Sequence, residues 1–135
     1  MEIDWNISSF ELGLQKFTDE VLAAIERGVH EAGDALLTLS VAEVPHGVGK
    51  TDTDDRGRPG RDPHPGALQA SGKVDKLPME AIVGYYMPYA ARLHEHPEYH
   101  FQHGRKGKYL EDPLKQNADK FLEIIGQRAR EALSK

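Results

Sequence analysis

Four histidines fall within ten residues of one another: His94, His96, His100 and His103, in the stretch HEHPEYHFQHG. Neutral imidazole is the commonest side-chain ligand of zinc, and three such ligands leave a fourth position open for an activated water. If the chain is extended here, His94 and His96 share one face of a strand. His100 and His103 then return across a hairpin, and Glu95 or Glu98 adds an oxygen ligand. On this reading the chain is a small metal-dependent enzyme. Against it, the spacing matches no helical zinc motif such as H-E-x-x-H, and no separate acid–base residue accompanies the cluster. The other reading makes the histidines the polar rim of a surface that meets another protein, because a neutral imidazole both donates and accepts hydrogen bonds. We take the second reading, expect no metal and no cofactor, and keep the four histidines as the alternative ligand set.

Other chemistry-bearing motifs are weaker. GVGKT at residues 47–51 has the end of a phosphate-binding loop, but Val44 stands where the first glycine belongs. The loop also follows a helix, whereas a phosphate loop joins a strand to a helix whose amides face the phosphate. No G-x-S-x-G elbow is present, and Ser71 has no evident base. Asp52, Asp54 and Asp55 alternate with Lys50, Arg56, Arg58 and Arg61, the pattern of a solvated polyampholyte. DTDDRG lacks the glutamate that closes a calcium loop.

The elements that would position these residues follow from periodicity. SSFE at Ser8–Glu11 is a capping box. Phe10, Leu14, Phe17, Val21, Ile25, Val29, Ala32, Leu36 and Leu39 continue it as one helical stripe. Gly28 and Gly33 are weak points where that helix could bend, and Pro45 is expected to stop it. Such a helix is longer than so small a domain needs. Residues 45–66 hold five glycines, four prolines and eight charged residues, with Val48 the one aliphatic side chain. With little apolar surface to bury, this segment is expected to be a flexible loop that orders on a partner. ALQASGKV (67–74) and AIVGYYM (81–87) read as strands separated by DKLPME. PYAARLHE fits either strand or helix, and YHFQ and KYL around HGRKG suggest a hairpin. Asp112 as N-cap and Pro113 at the first helical position open a final helix, with Leu114, Ala118, Phe121, Ile125, Ala129 and Leu133 as its apolar stripe.

The expected fold is therefore α+β in a single domain over residues 1–135. It has a long N-terminal helix, a small antiparallel β-sheet with a long polar loop at 45–66, and a C-terminal amphipathic helix packed on the sheet. The absence of cysteine removes disulfides and thiolate chemistry. A net charge of −5 argues against a nucleic-acid binder. MEIDWNISSF lacks the basic and apolar regions of a signal peptide, and no apolar run reaches the ~20 residues of a membrane span.

The order of these features resembles the tail-completion, or neck, proteins of long-tailed bacteriophages: minor tail components that join head to tail. The resemblance rests on Val44-Pro45 closing the first helix, then Gly66-Ala67-Leu68-Gln69-Ala70-Ser71, then Tyr89-Ala90 followed by Glu95. Tyr109-Leu110-Glu111-Asp112-Pro113-Leu114 then opens the last helix. It spans most of residues 10–134. The loop before Gly66 is longer than the family's short turn, and HEHPEYHFQHG replaces a Glu-x-Gly-Thr step. The resemblance implies a structural, non-enzymatic virion protein, made in the host cytoplasm and located in the phage neck. It implies a hexameric ring that completes the tail, contacting the head-completion or connector protein and the tail-tube protein. DNA would pass through such a ring without sequence-specific contact, and no membrane is involved. On this reading Tyr86, Tyr89, Arg92, Tyr99, Arg105 and Lys106 are the interface residues. A protein-binding module unrelated to phage is the remaining alternative.

Overall fold

The computed structural model describes residues 2–6, 19–45, 56–60, 64–99, 101 and 105–134. It is an α+β fold, as expected. In chain order the elements are β1 (Glu2–Asn6), α1 (Asp19–Val41), α2 (Ala67–Ala70), β2 (Gly72–Leu77), β3 (Glu80–Tyr85), α3 (Ala90–Glu95), α4 (Glu111–Gln116) and α5 (Ala118–Leu133). The capping box at Ser8–Glu11, Phe10, Leu14 and Phe17 lie outside the described residues, as does most of the 45–66 loop.

The stripe read from the sequence is the buried side of α1. Val21, Ala24, Ile25, Gly28, Val29, Ala32, Gly33, Leu36 and Ser40 are all buried, and Asp19 and Glu20 in the first turn complement the positive end of the helix dipole. Gly28 and Gly33 are places of close approach rather than bends. A Cβ on Gly28 would lie 2.8 Å from the Cα of Ile125 in α5, and one on Gly33 would lie 2.9 Å from the Cβ of Ala81 in β3. So α1 has one side on the sheet and another on α5. The helix stops at Val41, four residues before Pro45. Its last turn carries no basic residue, and its free carbonyls are answered from far away. Arg105 Nη1 donates to the carbonyls of Val41 (3.1 Å) and Ala42 (3.0 Å), which is the capping task that a basic side chain near a helix C-terminus performs.

The sheet is antiparallel in the order β1-β3-β2. Ile3 and Val74 both pair with Val83 across the register. Strand β1 was not anticipated from the sequence. Strand β2 runs on through Asp75, Lys76 and Leu77, so the connector is only Pro78-Met79. Proline fixes the first corner, and Met79 takes a left-handed φ of 55° at the second, where glycine or asparagine is usual. Helix α1 pins this turn from below. Met79 N–H donates to Glu26 (3.2 Å), and His30 Nε2 donates to the Leu77 carbonyl (2.8 Å); Glu26 and His30 are one helical turn apart.

Ala67–Ala70 is one helical turn, not the start of a strand, and it follows Gly66 at φ 84°. Leu68 is its buried residue. The hairpin expected around residues 99–110 is not formed among its described residues. Lys106 N–H instead bonds the Glu43 carbonyl, and Lys108 N–H bonds the His94 carbonyl. The last helix is broken at Asn117 (φ −120°, ψ 16°), where the Asn117 backbone and side chain both donate to the Pro113 carbonyl. Asp112 and Pro113 fall inside the first turn of α4, and Leu110 is its cap. Helix α5 packs chiefly along α1 and shares the core with the sheet. Phe121 lies in one apolar cluster with Leu36, Val83, Tyr85 and Tyr109. Ile125 and Ala129 pack against a second, of Val21, Ile25, Val29 and Ala81. Glu31 and Arg128 join α1 to α5 at 3.0 Å. No helix among the described residues is long and apolar enough to cross a membrane.

Candidate assembly surface and the joint behind it

The histidine stretch is helical where the metal reading needs it extended. On a strand His94 and His96 would share a face; on α3 and its cap, two residues are about 200° apart. The two rings therefore part. His94 is 3% exposed and points into the fold. Its Nε2 accepts the Glu111 N–H (3.2 Å), so the proton is on Nδ1, which donates to Glu95 (2.8 Å). The ring stands edge-on to Tyr109 at 5.1 Å. His94 thus satisfies a free amide at the start of α4, the need every helix N-terminus has, and locks α3 to α4. His96 turns outward, donates from Nδ1 to Glu98 (2.6 Å) and stacks on Tyr99 at 4.7 Å with the planes 7° apart. His100 and His103 lie outside the described residues. Among the described residues no three His, Asp or Glu side chains converge in a way that could hold a metal ion. Residues 47–51, with the GVGKT motif, and Asp52, Asp54 and Asp55 lie outside them too.

Behind His94 runs a buried chain of rings and hydroxyls. Ser40 and Tyr85 share a hydrogen bond at 2.9 Å, Tyr85 meets Tyr109 edge-to-face at 5.1 Å, and Tyr109 OH donates to the Ala90 carbonyl at 2.6 Å. Burial pushes the Tyr85 hydroxyl up to about 12, against the Ser40 hydrogen bond, which lowers it. Burial raises Tyr109 as well. The sequence reading missed Ser40, and it placed Tyr109 only in the step that opens the last helix. The strand read at 81–87 sets Tyr85 and Tyr86 on opposite faces by its alternation, and that was the available signal.

Above the joint is a surface ion cluster. Lys108 Nζ lies 2.7 Å from Glu95 and 3.2 Å from Glu111, and Lys115 lies 2.7 Å from Glu111. Lys115 and then Lys108 hold the Glu111 carboxyl down to about 2. Lys108 and then His94 lower Glu95. The sign for stability follows from linkage. A depressed carboxylate contributes stability that is complete above its unfolded value of about 4.3 and lost as pH falls through the folded value. The melting temperature of the wild type is therefore expected to fall as pH goes from 5 toward about 2. Glu111→Gln should start lower at neutral pH and fall less steeply. An unchanged slope in thermal melts would remove Glu111 from this role.

Of the six interface residues named from the sequence, three remain on the surface. Tyr86 is exposed, with Lys73 over its ring at 4.4 Å and its hydroxyl on Asp75 at 3.1 Å. Arg92 is exposed on α3, and Tyr99 is exposed beside His96 with Phe101 6.5 Å away. The other three serve the chain's own fold. Tyr89 packs half-buried against the main core. Arg105 closes α1. Lys106 pairs with Asp112 at 2.7 Å and approaches Glu43 at 3.9 Å. Among the described residues of this stretch, His94, Glu95 and Glu111 are engaged at the joint, while the stacked rings and Arg92 face outward. Comparison with family models, with curated proteins and with solved structures finds no match to this chain.

Proposed function

We propose that this chain is a structural component of a phage neck, a ring subunit that completes the tail and joins it to the head connector. The resemblance over residues 10–134 supports the reading, as does an α+β order of elements that agrees with it. The observation that carries it is the outward ledge of His96 stacked on Tyr99, with exposed Arg92 on the same short helix that His94 anchors from inside. Aromatic side chains and arginine supply most of the energy of protein interfaces, and here a buried joint fixes the segment that presents them. Tyr86 adds contact area on the sheet.

Arg92→Glu tests the reading. The isolated variant is expected to melt like the wild type, since a lone surface change costs under about 0.5 kcal/mol. In the phage it should yield filled heads and separate tails, because a reversed charge at a packed contact repels its former partner. Normal infectious particles carrying Arg92→Glu would move the interface elsewhere.

A further inference from the structure

Residues Gly107–Glu111 are strapped across α3 by contacts that converge on His94. The Lys108 N–H donates to the His94 carbonyl at 2.8 Å. The Glu111 N–H donates to His94 Nε2 at 3.2 Å. Lys108 Nζ reaches Glu95 at 2.7 Å, and the same carboxylate accepts from His94 Nδ1. The strap is pressed close: a Cβ on Gly107 would lie 2.9 Å from the Pro97 Cα and 3.0 Å from the Leu93 carbonyl oxygen. Lys108 holds a left-handed φ of 54°. That conformation is unfavourable for lysine and persists only where surrounding contacts impose it. Here they are the bonds to His94, Glu95 and Glu111. The Glu111 N–H depends on a lone pair at Nε2, and that lone pair exists only while the imidazole is neutral.

We propose that His94 is a pH-operated latch: the neutral ring ties α3 to the start of α4, and the cationic ring releases Glu111, so that Gly107–Glu111 lifts off α3. Imidazole is the side chain that ordinarily changes charge between about pH 5 and 8. The second proton has to go to Nε2, because Nδ1 already donates to Glu95. Two N–H groups then face each other across the former hydrogen bond, and they must part. The bond to Glu95 is kept and becomes charge-assisted. Protonation thus strengthens the contact within α3 while it removes the one to α4. The groups around the ring keep their charges over the same range. On α3, Glu95 is held below the usual carboxylate range by Lys108 and then by the ring itself. In the strap, Glu95 and then Glu111 raise Lys108, and burial raises Tyr109, which stands edge-on to the ring. On α4, Lys115 and then Lys108 hold Glu111 down. The far end of the strap is fastened separately, by Arg105 on the α1 carbonyls and by the Lys106 N–H on the Glu43 carbonyl. The opening is therefore local, with its hinge at Gly107. Helix α3 also carries Arg92, and His96 follows it, so the latch governs how firmly that ledge is held from inside. The latch does not rest on the function proposed above.

The test is amide hydrogen exchange of the full chain, followed by NMR at about pH 7.5 and about pH 5.5, on either side of the ordinary imidazole value. Rates are read as protection factors, which removes the pH dependence of intrinsic exchange. Protection of the Glu111 and Lys108 amides should fall about tenfold at the lower pH. Amides inside α1 and α5, such as Val29 and Ile125, should keep theirs. Nitrogen shifts of labelled histidine should show His94 protonated on Nδ1 alone at the higher pH and on both nitrogens at the lower. His94→Gln places an amide oxygen where Nε2 lay and cannot titrate, so its Glu111 protection should be the same at both pH values. His96 faces outward to Glu98 and Tyr99, so His96→Gln should still lose protection as the wild type does. The wild-type measurements decide the matter even where His94→Gln does not fold. A His94 that is neutral at the lower pH overturns the proposal. So does a cationic His94 with the Glu111 amide still protected, or a loss of protection that disappears in His96→Gln.

Discussion

Gly28→Val is expected to destabilise the protein by about 3 kcal/mol, the upper part of the range for overpacking, and to lower its melting temperature by about 10 °C. Helix preference alone gives the opposite sign, because valine is a better helix former than glycine by a few tenths of a kcal/mol and alanine by about 1. Geometry decides. The new Cβ would lie 2.8 Å from the Cα of Ile125, and a backbone atom cannot rotate aside as a side chain can. Helix α5 would have to withdraw. That would loosen Ile125, Ala129 and Ala132 from the cluster around Val29 and strain the Glu31–Arg128 pair. Gly28→Ala should lose less, since its gain in helix preference offsets part of the same clash. Gly126→Ala is the control of opposite sign: its Cβ meets only a movable guanidinium, so it should be neutral or stabilising by up to about 1 kcal/mol. Urea denaturation of the three variants checks the order. A Gly28→Val protein as stable as the wild type would mean that α1 and α5 do not touch at this point.

Gly28 and Gly33 show how far the sequence could be read. The stripe from Val21 to Leu36 is long and strictly periodic, so the buried side of α1 was legible, but a glycine in it looks the same whether it bends the helix or admits a neighbour. Short elements gave less. Glu2–Asn6 alternates polar and apolar residues, yet five residues are too few for a pattern to decide, and the strand exists by pairing with β3, some 80 positions away. Ala67–Ala70 consists of helix formers, but four residues are too few to show a helical period; Gly66 at φ 84° opens one helical turn, closed by bonds from Ala70 to Gly66 and from Ser71 to Ala67.

The candidate site followed the same rule. Tyr86, Arg92 and Tyr99 were legible as surface residues, because their neighbours already account for the core. Arg105 was not, because the carbonyls it closes are 61 to 64 residues earlier. Of the described histidines, His94 was misplaced, and for a single reason. An extended chain sets His94 beside His96, and a helix sends them apart; six residues of α3 carry no period strong enough to choose.

Ser40→Ala is expected to cost about 2 kcal/mol, more than the methyl-sized change suggests, because of what it leaves behind. Ser40 is 0% exposed and Tyr85 is 1% exposed, and the tyrosine hydroxyl is directed at the serine at 2.9 Å. Without Ser40, the Tyr85 hydroxyl is left buried and unpaired. The reverse deletion, Tyr85→Phe, should cost only about 1 kcal/mol, since a serine within a helix can turn its hydroxyl to the carbonyl four residues earlier. The ring of Tyr85 stays against Tyr109 in that variant, so the packing is kept. With both groups removed, no polar atom is stranded. The double variant Ser40→Ala/Tyr85→Phe should therefore lose clearly less than the sum of its two singles, a coupling of about 1 kcal/mol. Urea titrations of the four proteins close the cycle. Strict additivity would show that the two hydroxyls act independently. Equal costs for the two singles would show that the serine has no alternative acceptor in α1 and that the asymmetry argued here is absent.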